Sequence, residues 1–142
     1  MTLVRPQRLD PKKVELIHVR AIVTGESDTS PYFQVFEYSD ESYEKIFVPA
    51  VDIIKEKLAM GLRINFHECL ALFCNFVVSQ LRTKNSIEHI EREARKILSP
   101  HNVMIGVPES LRNIVFHGRL NRACQFVITV KEPIRIARYE LN

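Results

Sequence analysis

The most hydrophobic stretch of the chain predicts a helix over Phe66–Arg82. Cysteine, leucine, phenylalanine and valine fill this stretch so densely that a helix here has no wide polar face. Asn65 precedes it as a good N-cap residue, and Glu68 follows three residues later, as in a capping box. Gly61 ends the charged helix before it, because glycine readily adopts the left-handed conformation found after helix C-termini. We therefore expect Phe66–Arg82 to be the buried central helix.

A long helix is predicted before the central helix, beginning at a Ser39 or Asp40 cap and ending at Met60. Apolar residues recur along one broad face of it at helical spacing. Pro49 lies inside this pattern, and proline lacks a backbone N–H and clashes with the preceding turn. The pattern therefore predicts either one kinked helix or two shorter helices, Asp40–Val48 and Pro49–Met60.

A third helix is predicted over Ile87–Leu98, behind a serine N-cap. Its inward positions are apolar, and its outward positions carry Glu–Arg pairs at the i,i+4 spacing that stabilises helices. Ser99 and Pro100 then have the character of the cap and first residue of a short helix that Gly106 ends. Pro108 opens a further turn.

Four segments rich in β-branched and aromatic residues predict strands at the two ends of this helical part. Val14–Val23 and Tyr32–Tyr38 predict an N-terminal β-hairpin, and Asn113–Leu120 and Cys124–Lys131 predict a C-terminal one. Because a lone hairpin is marginally stable, the N-terminal hairpin should join the C-terminal strands or pair with another chain. We expect the first arrangement, since it loses no translational freedom. The order of elements predicts an α+β fold.

Composition is typical of an ordinary globular domain, with 142 residues that are 46% hydrophobic and 26% charged. The chain has no apolar run long enough for a membrane span and no apolar signal-peptide core, so we expect a cytoplasmic protein. The net charge of +3 is too small to indicate nucleic-acid binding. An acidic partner for the arm is a weaker alternative that rests on Arg5, Arg8, Lys12 and Lys13. Nucleic-acid binding is another, and it rests on eight basic residues. They are Arg5, Arg8, Lys12, Lys13, Arg119, Arg122, Arg135 and Arg138.

Residue types that carry catalysis or bind metals are not grouped along the chain. The five histidines show no ligand spacing, and no P-loop or nucleophile motif occurs. Cys69, Cys74 and Cys124 form no CxxC pair, and two of them lie in the central helix, so we expect free core thiols. The residue patterns predict a non-catalytic domain without catalytic, cofactor-binding or metal-binding residues.

Two short motifs resemble the urease gamma subunit family. Residues 61–69, Gly-Leu-Arg-Ile-Asn-Phe-His-Glu-Cys, are similar to its Gly-Leu-x-Leu-Asn-x-x-Glu-Ala segment, and residues 103–108, Val-Met-Ile-Gly-Val-Pro, to its Val-Met-x-Gly-Val-Pro segment. The helix over 86–98 and the closing stretch 126–134 also look like their family counterparts. The motif positions, which we assign structural roles, are Gly61, Asn65, Glu68, Val103, Met104, Gly106, Val107, Pro108, Pro133 and Ile134.

The resemblance covers about residues 39–134 and implies a helical bundle with a C-terminal β-hairpin, to which this chain adds an N-terminal hairpin. We divide the chain into an extension, residues 1–37, consisting of an arm and the hairpin, and a urease-gamma-like domain, residues 38–142. The resemblance implies a non-catalytic structural subunit of an oligomeric complex that hydrolyses urea. Its partners would be alpha-like and beta-like subunits, and the dinickel site would belong to a partner chain.

Departures from the family pattern leave a second interpretation open. The end of the central helix, residues 79–84, lacks the family's glutamate and glycine, and residues 118–123 replace the Asp-Gly-Ser/Thr-Arg hairpin turn. The family's His-x-Pro-Ile becomes Lys-Glu-Pro-Ile at residues 131–134. Because such positions make contacts, the domain could instead serve as an interaction subunit of another assembly.

Overall fold

The computed structural model describes residues 16–25, 32–39, 45, 47–120 and 124–135. The elements there confirm the α+β class. They are, in chain order, β1 (Leu16–Gly25), β2 (Tyr32–Ser39), α1 (Val48–Ala59), α2 (Phe66–Arg82), α3 (Ile87–Ala94), a 3-10 turn (Pro100–Asn102), α4 (Val107–Ser110), β3 (Asn113–Leu120) and β4 (Cys124–Lys131). The predicted arm, the hairpin connections, the Asp40 cap with the residues up to 44, and the tail beyond 135 lie outside the described residues, whereas Ser39 is the last residue of β2.

The four strands form one antiparallel sheet in the order β2-β1-β3-β4. On one side β1 pairs with β2, with Gly25 opposite Tyr32, and on the other side it pairs with β3, with Thr24 opposite Asn113. The prediction that the N-terminal hairpin joins the C-terminal strands within the chain is therefore confirmed. Strand β1, the first strand of the described residues, is therefore an interior strand of the sheet.

One face of the sheet is buried against the helices. Alternate residues of β1, β3 and β4 point into the core, as the period of two in a strand requires. They are Val19, Ala21, Val23, Ile114, Phe116, Gly118, Phe126, Ile128 and Val130. The intervening residues, which we call the open face, are partly or fully exposed. They are His18, Arg20, Ile22, Thr24, Asn113, Val115, His117, Arg119, Gln125, Val127, Thr129 and Lys131.

Helix α2 is the central helix, with the bounds that its apolar pattern predicted. It contacts α1 and α3, and α3 contacts β4. Seven of its side chains lie in the hydrophobic core, and Phe73 is completely buried. Among the described residues, no helix is long and apolar enough to cross a membrane.

Strand β4 is an edge strand, and a side chain accepts a hydrogen bond from one of its outward-facing backbone groups. The Glu91 carboxylate on α3 accepts a hydrogen bond of 2.8 Å from the backbone N–H of Thr129. A strand at the edge of a sheet presents unpaired donors and acceptors to other chains. Here the helix that covers the sheet also satisfies one of those donors.

Prolines set the bounds of two helices. Helix α1, Val48–Ala59, agrees within one residue with the predicted shorter helix Pro49–Met60, and Pro49 lies in its first turn, where a missing N–H costs little. The bounds of the other helix differ from the prediction. Helix α3 ends at Ala94 instead of Leu98. Ser99 precedes Pro100 and is extended, with φ −110° and ψ 168°, because proline disfavours a helical residue before it. The chain therefore leaves the helix early enough to reach that conformation.

The role predicted for Gly106 is wrong. The helix behind Ser99 is a single 3-10 turn, and Val103 after it is extended. Gly106 instead precedes α4 as its N-cap, with φ 92°, and Pro108 lies in the first turn of that helix. Glycine tolerates positive φ both before and after a helix. The glycine therefore predicted a sharp turn, but it did not show whether a helix ends or begins there.

Candidate functional site

The first motif begins where α1 ends in a Schellman turn. Gly61 has φ 79°, in the left-handed region. Its N–H donates to the Leu58 carbonyl, and the Leu62 N–H donates to the Lys57 carbonyl, both at 3.0 Å. These two bonds satisfy carbonyls that the helix end would otherwise leave unpaired. Gly61 therefore ends the helix as predicted and turns the chain toward α2.

The capping box predicted at the start of α2 is present. The Asn65 side chain accepts the Glu68 N–H, and a Glu68 carboxylate oxygen accepts the Asn65 N–H, each at 2.9 Å. The other carboxylate oxygen of Glu68 lies 2.5 Å from Lys57 Nζ at the end of α1. Glu68 thus connects the end of one helix with the beginning of the next.

These contacts lower the pKa of Glu68. Burial acts to raise this pKa, but the hydrogen bonds from Lys57 and from the Asn65 backbone, together with the charge of Lys57, outweigh it. The pKa is therefore lowered from its ordinary value, and the carboxylate is held in its charged form.

The two motifs, far apart in sequence, lie side by side in the fold. The Ile64 N–H donates to the Asn102 carbonyl at 2.9 Å, and the Met104 N–H donates to the Ile64 carbonyl at 3.0 Å, in a parallel bridge between Ile64 and Val103. Both bridge side chains are buried. Arg63 reaches the Val103 carbonyl at 3.5 Å. We call residues 60–65 and 102–106 the paired loops.

The paired loops carry an unusual concentration of exposed apolar side chains. Of seven large apolar side chains exposed among the described residues, four belong to these loops. They are Met60, Leu62, Met104 and Ile105, which we call the apolar loop surface. Ile105 is 96% exposed. Single exposed apolar residues are common, whereas a local group of them marks an interaction surface.

The second loop rests on the sheet through α4. Gly106 makes the tight turn into this helix, and the Val107 side chain is buried. A methyl group added to Gly25, at the end of β1, would collide with the backbone of Ser110 in α4. The Arg112 N–H donates to the Thr24 carbonyl at 3.0 Å. Strand β1 of the N-terminal extension therefore supports the loop that carries the second motif.

The closing motif positions have a core role. Pro133 and Ile134 are buried just after β4. Glu132, with φ 48°, turns the chain there, and its carboxylate accepts a hydrogen bond of 3.2 Å from Arg112 Nη2. These residues anchor the end of the sheet, whereas Met104 is the large apolar motif position that is exposed among the described residues.

Sequence reasoning missed three members of the apolar loop surface: Met60, Leu62 and Ile105. A signal was available, because connections between helices are usually polar, and residues 60–64 and 103–105 are mostly apolar. That signal does not reveal which side chains point inward. The bridge decides it, since Ile64 and Val103 occupy the buried side.

The described part of the chain offers no catalytic grouping. It contains no cluster of three His, Cys, Asp or Glu side chains that could hold a metal ion. Cys69 and Cys74 are buried and unbonded, and burial raises the pKa of each thiol to about 12. A thiol in this state is a poor nucleophile. The apolar loop surface, in contrast, offers exposed apolar area for contact with another molecule.

Comparison with known proteins identifies relatives over most of the chain. The sequence model of the family described as "Urease, gamma subunit" matches residues 37–134. The urease subunit gamma of Halalkalibacterium halodurans is 30% identical over 93 residues, which cover 65% of this chain and 92% of that protein. The urease subunit gamma of Haloquadratum walsbyi is 30% identical over 96 residues, covering 68% of this chain and 87% of that protein. The matched region contains both motifs and excludes β1.

Proposed function

The chain belongs to the urease gamma subunit family, and from this premise we propose that it is a non-catalytic structural subunit of a urease-type complex in the cytoplasm. In this proposal, alpha-like and beta-like partner chains form the oligomer with it. Urea is hydrolysed at a dinickel site that a partner chain carries. The described residues of this chain contribute no metal-holding group of three side chains.

The observation that carries the proposal is the apolar loop surface. Met104 and Ile105 project from a loop that is fixed by backbone hydrogen bonds to Ile64 and by α4. A rigid loop loses little conformational freedom on association, so its apolar area is available to stabilise a complex. Methionine also adapts its shape to the facing surface. We infer that a partner chain covers this surface.

A second candidate function is that of an interaction subunit in a different assembly. The observation that favours it is the position of β1, which pairs with β3 although it lies outside the family match at 37–134. The Halalkalibacterium halodurans relative is matched over 92% of its length, which leaves about eight residues, too few for this hairpin. In this chain β1 covers one edge of β3. A relative without this hairpin would leave that edge uncovered, so we infer that the two proteins make different contacts there.

Purification of the full-length tagged chain from its own cells, with identification of the associated chains, tests both candidates. The first predicts alpha-like and beta-like urease chains, nickel in the complex and hydrolysis of urea. Associated chains of another kind would reject the first candidate and support the second. A chain that purifies alone would reject both.

Substitution within the apolar loop surface tests the contact itself. Ile105→Asp should abolish recovery of the partner chains while leaving the thermal melt unchanged, because this side chain is almost fully exposed. Ile87→Asp is the matched control, since Ile87 is an exposed isoleucine at the start of α3. Equal recovery of partners with both variants would contradict the assignment of this surface.

A further inference from the structure

Four basic residues form a compact block on the open face of the sheet. In the pairing of β1 with β3, His18 lies opposite Arg119 and Arg20 lies opposite His117. Directly opposed residues of an antiparallel pair have Cβ atoms about 4.5–5.5 Å apart and share a face. We call these four residues the basic block.

The four described strands around the basic block contain a single acidic residue. Strands β1, β3 and β4 contain no aspartate or glutamate. Strand β2 contains one, Glu37, whose backbone lies opposite Arg20. Glu37 belongs to the Arg20 side of the block, so these strands place no carboxylate beside Arg119.

A shallow depression lies at the Arg119 side of the block. Its volume is about 170 Å³, and it is lined by His18, His117, Gly118, Arg119, Gln125, Phe126 and Val127. A single water needs only about 10–15 Å³ of such space, so a larger polar group fits. Gln125 lies opposite Arg119 on β4 and brings an amide to the same place. The depression therefore collects guanidinium, imidazole and amide groups.

The Arg119 guanidinium has an unused hydrogen-bond donor beside the depression. Its Nε atom is buried and has no hydrogen-bond partner among the described residues. Buried polar groups are normally hydrogen-bonded, and an unsatisfied one needs an explanation such as a missing ion. An acceptor with several oxygen atoms at this position would satisfy Arg119 and reach the imidazole and amide groups that line the depression.

We propose that the basic block binds a phosphate-class oxyanion, either inorganic phosphate or the phosphoryl group of a small molecule. The planar fork of arginine matches phosphate oxygens in a two-point hydrogen bond, and imidazole and amide N–H groups complete the shell. The depression is only about 170 Å³ in volume, so a single anion fits it better than a nucleic-acid strand. This site is independent of the proposed subunit function.

Titration of the full-length protein with inorganic phosphate at low ionic strength tests the site, with calorimetry and histidine NMR as readouts. We expect saturable binding with one anion per chain. The imidazole signals of His18 and His117 should shift, whereas those of His67, His89 and His101 should not. A parallel titration with adenosine monophosphate distinguishes the two sources, since tighter binding than phosphate indicates a small-molecule phosphoryl group.

Variants assign the binding to named side chains. Arg119→Gln should weaken phosphate binding at least tenfold, and Arg119→Lys, which keeps the charge but loses the fork, should weaken it less. Arg92→Gln removes an exposed charge on α3 and is the matched control, with no change expected. A thermal melt shows whether each variant is folded, and Arg119→Lys serves if Arg119→Gln is not.

Three results would overturn the proposal. The first is the absence of saturable phosphate binding. The second is equal weakening by Arg119→Gln and Arg92→Gln, which would show only a general effect of charge. The third is far tighter binding of a single-stranded oligonucleotide with steep salt dependence, which would identify a nucleic-acid interface instead.

Discussion

Removal of the N-cap of α2 should destabilise the whole domain. In Asn65→Ala, the Glu68 N–H loses its 2.9 Å hydrogen bond at the start of the most buried helix. Loss of an N-cap side chain costs about 0.5–2 kcal/mol. We expect a value of about 1–2 kcal/mol here, because the first turn of α2 also holds the carboxylate that bonds to Lys57. A displaced first turn would disturb both contacts.

The assay is unfolding in guanidinium chloride, followed by far-ultraviolet circular dichroism. The free energy of unfolding should fall while the denaturant slope stays constant, since the buried area is unchanged. Asn65→Asp is the matched control, because aspartate keeps the acceptor and favours a helix N-terminus. Ser86→Ala removes the cap of the shorter helix α3, where the Ser86 oxygen accepts the His89 N–H at 3.1 Å, and should cost less.

Two outcomes would refute this reasoning. A loss below about 0.5 kcal/mol for Asn65→Ala would mean that water replaces the cap without penalty. An equal loss for Asn65→Asp would mean that the side-chain acceptor is not what stabilises the helix start. In a double-mutant cycle, Asn65→Ala and Glu68→Ala should be non-additive, because both act within one reciprocal pair.

Four further predictions concern the core, the thiols, the carboxylate and the extension. Phe73→Ala should lower the free energy of unfolding by about 3–5 kcal/mol in the same assay, and a loss below about 1 kcal/mol would contradict a central α2. Cys74, whose pKa burial raises to about 12, should react with a thiol reagent only under denaturing conditions; rapid labelling of the folded protein would contradict its burial. The folded-state pKa of Glu68 is lowered, so its stabilisation is present above its ordinary value of 4.5 and is lost as the pH falls through the lowered value. The stability difference from Glu68→Gln should therefore shrink in acid, and a constant difference would refute the linkage. Deletion of residues 1–38 should cause aggregation in light scattering, because it uncovers the edge of β3; a monodisperse fragment would show that β1 is dispensable.

Local signals in the sequence predicted several elements to the residue. The bounds of α2, β3 and β4 coincide with the prediction because each is set by nearby residues. The capping box starts α2, and the apolar spacing changes from helical to alternating before β3. The pairing of β1 with β3 was predicted from the instability of a lone hairpin, which is a physical constraint and not a local pattern.

The candidate site was predictable only in part because its geometry is non-local. The motifs gave the positions of the paired loops, but the bridge between Ile64 and Val103 joins segments about 40 residues apart. No local pattern specifies such a bridge, and without it the exposure of Met104 and Ile105 cannot be foreseen. The basic block was likewise hidden, because strand register alone brings His18 beside Arg119.

The hydrogen bond between Glu91 and Thr129 has a consequence for the symmetry of self-association. Growth of the sheet through β4 would require the carboxylate to release a bond of 2.8 Å, whereas contact through β2 would leave that bond intact. Two copies that meet through β2 alone are related by a two-fold axis and close as a pair. A contact of β2 with β4 would be head-to-tail and could repeat without end. The Glu91 bond therefore opposes any self-association through β4, including the head-to-tail contact, and leaves the two-fold contact through β2 unopposed.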